Sequence, residues 1–255
     1  MVENKAYKFR IYPNQEQKVL LAKTFGCVRF IYNLMLEEKI AYYEKEKKSL
    51  TVTPARYKKE YPFLKEVDSL ALANAQLHLQ AAFKNFFRDK SVGFPKFKTK
   101  KEHYYSYTTN MVNNNIKLEE KYITLPKLKK IRVRCHRAIP HDYILKSVTV
   151  SQTPSGKYFI SLLYEYETDI KKTEKPDHVV GLDFSIPELY ISANNIDANV
   201  THHYEVSLDK LCKAQRKLSR CVRGSQNYEK QRIKVAVLHE KIANQRHDYL
   251  HKKST

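Results

Sequence analysis

Residues 178–192 read HVVGLDFSIPELYIS, and they set one acid, Asp183, inside an otherwise apolar run. Val179, Val180 and Leu182 carry the pattern of a buried strand, and Gly181 beside Asp183 marks a tight backbone approach near its end. A second short apolar run, Leu189 to Ile191, follows Pro187. On pattern alone the stronger reading of Asp183 is a turn, because an Asp side chain bonds nearby backbone amides. The sharper reading is a carboxylate held at a strand end for chemistry, and it needs partners. The rest of the chain decides between them.

Outward from this stretch, charge is the dominant signal. The 255 residues hold 47 Lys plus Arg against 27 Asp plus Glu, a net +20, with a pI near 9.6. Such an excess favours a polyanionic partner, nucleic acid or an anionic membrane surface. No apolar run approaching the ~18 residues of a spanning helix is evident, so no membrane partner is expected and nucleic acid leads. At 42% hydrophobic residues the chain can build real cores, which excludes wholesale disorder. Nineteen Tyr and eleven Phe interleave with the cations, suiting base stacking beside phosphate neutralisation, although most of these rings are expected in cores. Cys27, Cys135, Cys212 and Cys221 lie far apart without a C-x-x-C pair, so neither a zinc site nor a disulfide framework is expected. A reducing cytosol fits.

Along the chain, KAYKFRIY (5–12) predicts a strand marked by Ala6, Phe9 and Ile11. PNQEQ then opens a helix running to about Lys45. Residues 68–87, DSLALANAQLHLQAAFKNFF, form the clearest helix, capped by Asp68 or Ser69. From Gly93 the chain is extended, aromatic and basic, and an all-β block follows over about 104–167, with TPSG (153–156) as a hairpin turn. A polar linker places a boundary near residue 172. Beyond it a meander is expected over 178–184, 188–194 and 198–206, then two basic helices separated by GSQN, the second lined by Ile233, Val237, Leu238 and Ile242. Residues 206–255 hold 13 Lys plus Arg and four Asp plus Glu, a net +9 that favours phosphate contact.

Taken in order, KAYKFRIYPNQEQ, FGCVRFIYN, AFKNFF, GFPKFK, VVGLDFSIPELYIS and the basic tail from Lys213 resemble the TnpB family. These are transposon-encoded, RNA-guided DNA endonucleases related to type V CRISPR effectors. The resemblance covers essentially the whole chain. It implies an α+β fold: a β-barrel wedge domain (1–12 and 104–172) with a helical recognition insertion (13–92, connector 93–103). An incomplete RNase H-like, RuvC-type α/β domain with a basic helical pair follows over 177–255. It also implies a prokaryotic, cytoplasmic, nucleoid-associated protein with a guide-type RNA and a double-stranded DNA target as partners. Nothing in the sequence sets an oligomeric state.

In this family Asp183 corresponds to the first catalytic carboxylate. A RuvC-type site uses two divalent cations, Mg²⁺ in the family, ~4 Å apart among several carboxylates. The family's later glutamate, second aspartate and zinc module are not found before the chain ends at LHKKST. The expectation is therefore a truncated or remnant member that binds RNA and DNA, does not bind Mg²⁺ productively and holds no zinc. Two alternatives stay open. In the first the chain is an active or trans-complemented endonuclease, with Asp183 plus Asp197 or Glu205 holding a metal. In the second it is a regulator that occupies DNA without cutting. A basic ribosomal-type protein would explain the charge but not the ordered motifs.

The candidate nucleic-acid-binding residues follow from chemistry. Asn74, Gln76 and Gln80 carry amides able to pair with adenine edges. Lys84, Arg88, Lys96, Lys98 and Lys100 would meet phosphates, with Phe97, Tyr104 and Tyr105 as stacking rings. Lys8 and Arg10 flank the barrel entry. Arg216, Lys217, Arg220, Arg223, Arg232, Lys234 and Arg246 would line a heteroduplex channel.

Overall fold

Local signals near the N-terminus set the first two elements. Strand β1 (Val2–Tyr12) alternates, with Tyr7, Phe9 and Ile11 buried and Lys8, Arg10 and Tyr12 outward. Tyr7, not Ala6, is the first inward residue. Helix α1 (Gln15–Glu46) starts at a capping box, in which Asn14 accepts from the Gln17 amide and the Gln17 side chain accepts from the Asn14 amide. Such a cap contributes about 1 kcal/mol. The helix ends where Lys47 turns left-handed at φ 52°.

The computed structural model describes residues 1–101, 105–169, 179–185, 188–194 and 202–254. The expected boundaries at 104, 172 and 177, and residues Tyr104 and Asp197, lie outside them. After the one-turn α2 (Pro54–Tyr57), helix α3 (Ser69–Arg88) follows, capped by Asp68, whose Oδ1 accepts from the Leu70 amide. Strands β2 (Tyr105–Asn110), β3 (Lys117–Leu118), β4 (Tyr122–Leu125), β5 (Lys129–Arg134), β6 (Ile144–Gln152) and β7 (Tyr158–Glu167) join β1. Together they make a curled antiparallel sheet ordered β2-β6-β7-β1-β5-β4-β3. The first strand sits at its centre, paired to β7 from Val2 to Ile11 and to β5 from Arg10 to Tyr12.

Helices and sheet share one core. Leu21, Phe25, Val28, Ile31, Met35 and Leu36 of α1, at helical spacing, pack in the same cluster as Leu72 and Leu79 of α3 and Ile131, Val150, Ile160 and Leu162 of the sheet. The expected barrel and helical insertion thus fold on a common interior. Helix α1 is long and apolar enough to cross a membrane, contrary to the expectation that no run of that kind exists. Its apolar face is instead in this core.

The second unit, apart from the β6–β7 turn residues Pro154–Gly156, runs from Ile170. It contains the hairpin β8 (Leu182–Ser185) and β9 (Leu189–Ser192), then α4 (His203–Ser219) and α5 (Gln226–Ser254). Two expectations fail here. The third strand at 198–206 is replaced over 203–206 by the first turn of α4; residues 198–201 lie outside the described residues. The residues Val179, Val180 and Leu182 are not buried but 83%, 46% and 62% exposed.

The α4–α5 seam also differs. Gln231, Val235, Leu238 and Ile242 face Leu211, Ala214 and Leu218, while Ile233 and Val237 point to solvent. The 4-3-4 spacing of that seam is the coiled-coil register, and Gln231 Nε2 donates across it to the Ala214 carbonyl at 2.9 Å.

Candidate nucleic-acid interface

The pleat that buries Tyr7, Phe9 and Ile11 turns every other residue of β1 outward, and β5 does the same. Arg10 lies directly opposite Arg134, and Tyr12 opposite Arg132. Across β4, Tyr122 pairs with Arg132. The Arg10 guanidinium lies 5.0 Å and that of Arg132 6.0 Å from the Tyr12 ring centroid, and the Lys8 ammonium lies 5.1 Å from that of Phe159. Lys130 is neutralised by Glu119 at 2.9 Å. Lys8, Arg10, Arg132 and Arg134 have no ion-pair partner among the described residues. Beside them an open groove of about 1000 Å³ is walled by Arg132, Arg134, His136, Arg137 and Lys121, with Glu119 and Glu120 also on its wall.

Like charges directly across strands destabilise a sheet, so the Arg10–Arg134 pair costs folding free energy. Of this face, the sequence pattern pointed to Lys8 and Arg10 but not to Tyr12, Tyr122, Phe159, Arg132 or Arg134. The signal was available for the two arginines: in IRVR (131–134) every second residue is basic, which on a strand is one face.

The connector after α3 is clamped to α1. The Asn33 amide donates to the Lys98 carbonyl at 2.9 Å and accepts from its N–H at 2.8 Å. The Lys98 ammonium sits 4.2 Å from the Tyr32 ring centroid, and burial there lowers its pKa. Burial, then the Lys98 charge, likewise lowers that of His78. Tyr105 stacks on Phe25 at 5.9 Å and its hydroxyl donates to the Lys100 carbonyl at 3.2 Å, so that ring is already engaged. Lys96, Phe97 and Lys100 are exposed.

On α3 the amides separate. Asn74 is buried and donates to the Leu70 carbonyl at 2.9 Å and to Asn110 Oδ1 at 3.4 Å, inside the fold and not on its surface. At the N-cap of α3, Asp68 Oδ2 accepts from the buried Thr109 hydroxyl at 2.5 Å, which ties α3 to β2. Gln76 is half-buried, and Gln80, Lys84 and Arg88 are exposed.

In the second unit Arg216, Lys217, Arg220, Arg223, Lys234 and Arg246 are exposed, with Arg246 5.5 Å from the Tyr204 ring centroid. Arg232 is half-buried in an ion pair with Glu229 at 2.8 Å. Asp183 is exposed on β8, opposite Ile191. Glu205, in the first turn of α4, has its carboxylate 3.6 Å from His202 Nδ1. Among the described residues no three His, Cys, Asp or Glu side chains gather as a metal-holding group. The donor set of a two-metal or zinc centre is therefore not assembled by those residues.

Residues 1–48 match the IS605 OrfB family described as "Helix-turn-helix domain", and residues 161–255 the one described as "Probable transposase". In the first of these spans the structure has one strand and one continuous helix. The chain is 35% identical to the "Putative RNA-guided DNA endonuclease" of Streptomyces pristinaespiralis, covering 98% of this chain and 63% of that protein. It is 31% identical to the "Putative RNA-guided DNA endonuclease InsQ" of Escherichia coli (strain K12), covering 98% and 62%. The chain thus spans less than two thirds of the length of these relatives. Virulence protein VsdF of Salmonella dublin matches 38% of this chain at 40% identity, over 93% of its own length. Among solved structures, a Cas12f1–sgRNA–target DNA complex matches at 13% identity with a TM-score of 0.33, covering 95% of this chain and 65% of that one; a score that low does not establish a shared fold.

Proposed function

This chain belongs to the TnpB family of IS605-type transposons, and from that premise we propose that it binds a guide-type RNA and a DNA duplex, chiefly by neutralising their phosphates. The observation that carries the proposal is the outward sheet face. Four cations without an ion-pair partner among the described residues, Lys8, Arg10, Arg132 and Arg134, share this face; the first three lie beside the rings of Tyr12 or Phe159, and the Arg10–Arg134 pair carries a like-charge cost that a bound polyanion would offset. The exposed cations of α4 and α5 extend the same chemistry, and sequence specificity would come from base pairing with the guide.

Within this reading the curled sheet with α1 and α3 acts as the wedge and recognition part, and the segment from residue 179 opens the RNase H-like part, with Asp183 as its first carboxylate. A metal pair bound there would supply an activated water and stabilise the leaving oxygen. Asp183 cannot hold such a pair alone, and the described residues bring it no two further donors.

Fluorescence anisotropy with a structured RNA, at several salt concentrations, tests the proposal. The parent is expected to lose affinity steeply as salt rises. An Arg10→Gln/Arg132→Gln variant should show a slope shallower by roughly 1.4–1.8, at ~0.7–0.9 for each phosphate no longer neutralised. An unchanged slope would remove the sheet face from the interface.

A further inference from the structure

The last two turns of α3 carry an aromatic cluster that the phosphate-binding face does not use. Phe83 stacks on Phe87 (centroids 6.3 Å, 21° between planes), and Phe94 meets Phe83 and Phe86 edge-on at 5.6 and 5.4 Å. These rings wall a cavity of about 700 Å³, closed on the other side by the end of α1 and residues 49–51. That volume lies in the range of ~300–1000 Å³ typical of ligand pockets. Its aromatic mouth is open to water, with Phe87 76%, Tyr43 58% and Phe94 47% exposed. At the back, the Lys39 ammonium contacts the Leu50 carbonyl and lies 5.9 Å from the Phe83 ring centroid, fixing the loop to the helix. The Gln80 amide, also lining the cavity, has no hydrogen-bond partner among the described residues.

The lining holds one acid, the exposed Glu44, and cations gather on the elements around it. Lys84 and Arg88 follow Gln80 at four-residue steps along α3, and the Lys47 ammonium lies 5.9 Å from the Tyr43 ring centroid. From Lys84 to Lys100 the chain carries six Lys or Arg against one acid, Asp89. A purely apolar guest would not need these cations, and an acidic peptide would leave the ring faces unused. Stacked base pairs in a duplex hide their faces and offer only edges. A base freed from its stack offers a flat face to the rings, an edge to an amide and a phosphate on either side.

We propose that the Phe83–Phe87–Phe94 pocket receives one unstacked nucleobase from a single-stranded segment whose flanking phosphates rest on Lys84, Arg88 and Lys47. The inference rests on the proposed nucleic-acid binding and adds to it a site selective for unpaired strand. Phe87 is mostly exposed, so Phe87→Ala leaves the core intact. The probe is a short single strand with one 2-aminopurine, compared with the same strand made abasic at that position and with its perfect duplex.

The parent is expected to change the fluorescence of the probe and to bind the base-bearing strand about tenfold more tightly than the abasic one. Phe87→Ala should abolish that difference, Phe87→Trp should restore it, and duplex affinity should not move. If the parent binds structured RNA with a steep salt slope yet treats base-bearing and abasic strands alike, the pocket proposal is overturned and the broader reading stands. Equal loss of duplex and single-strand affinity in Phe87→Ala also overturns it. A parent that binds none of these nucleic acids overturns both.

Discussion

Arg134→Thr separates a binding role from a structural one, because the two predict opposite signs for stability. Arg134 faces Arg10 across the β1–β5 ladder, has no ring contact or ion-pair partner among the described residues, and is exposed. Opposed like charges in a cross-strand pair cost about 0.2–1 kcal/mol, and Thr is a favourable strand residue. Removing the charge should stabilise the free protein by that amount. At ~2–4 °C per kcal/mol for a chain of this size, the melting temperature rises by about 0.4–4 °C. The gain should shrink in concentrated salt, since the Debye length falls from ~10 Å at 0.1 M to ~3 Å at 1 M. The same substitution should weaken RNA binding and flatten its salt dependence by ~0.7–0.9. Far-UV circular dichroism melts at low and high salt, with anisotropy titrations on the same preparations, measure all three. A lower melting temperature would mean that Arg134 holds the sheet together, and unchanged RNA affinity would mean that its face is not the binding surface. Either result refutes the reasoning.

The Asp68–Thr109 hydrogen bond predicts non-additivity. Asp68→Ala loses a helix cap (about 1 kcal/mol) and strands a buried hydroxyl (~1–3 kcal/mol), whereas in the double variant with Thr109→Val the second cost disappears. Urea unfolding in which the two substitutions add within ~0.5 kcal/mol would show that the pair does not interact. His78 should titrate below an ordinary histidine by NMR, and Lys98→Gln should raise it by removing a nearby cation. Because its folded pKa is lowered, the unfolded chain takes up the proton first as pH falls below about 6.5, so His78 contributes stability above that pH that is lost beneath it. A normal His78 titration would mean that neither local desolvation nor the Lys98 charge acts on its ring. In the second unit, Ile242→Ala removes one of only three buried apolar side chains among the described residues there and should cost ~2–5 kcal/mol. Hydrogen exchange should then show α4 and α5 unprotected while β7 keeps its protection; loss in β7 as well would mean that the two parts unfold as one.

What could be read without a fold was whatever depends on neighbours a few residues apart. The Asn14–Gln17 capping box, the Asp68 cap, the alternation of β1 and the TPSG turn each complete their chemistry within a short span, so their residues announce them. The family was legible for a related reason: several short motifs in a fixed order need no coordinates to be recognised. Residues 203–206 mark the limit, since His203, Tyr204 and Val206 suit a strand locally, yet they form the first turn of a helix whose later turns bury Leu211 against α5. Tertiary packing outweighed local preference there. The faces of α3 were open in the same way. Helical periodicity groups its residues, but only packing on β2 decides that Asn74 turns inward to Asn110 while Gln80, Lys84 and Arg88 stay in solvent. The cationic sheet face depended most on the fold, because Arg10 and Arg134 stand 124 positions apart and become neighbours only through the register of β1 on β5. Strand pairing is long-range, and the sequence states which residues alternate on each strand without stating which strand lies alongside.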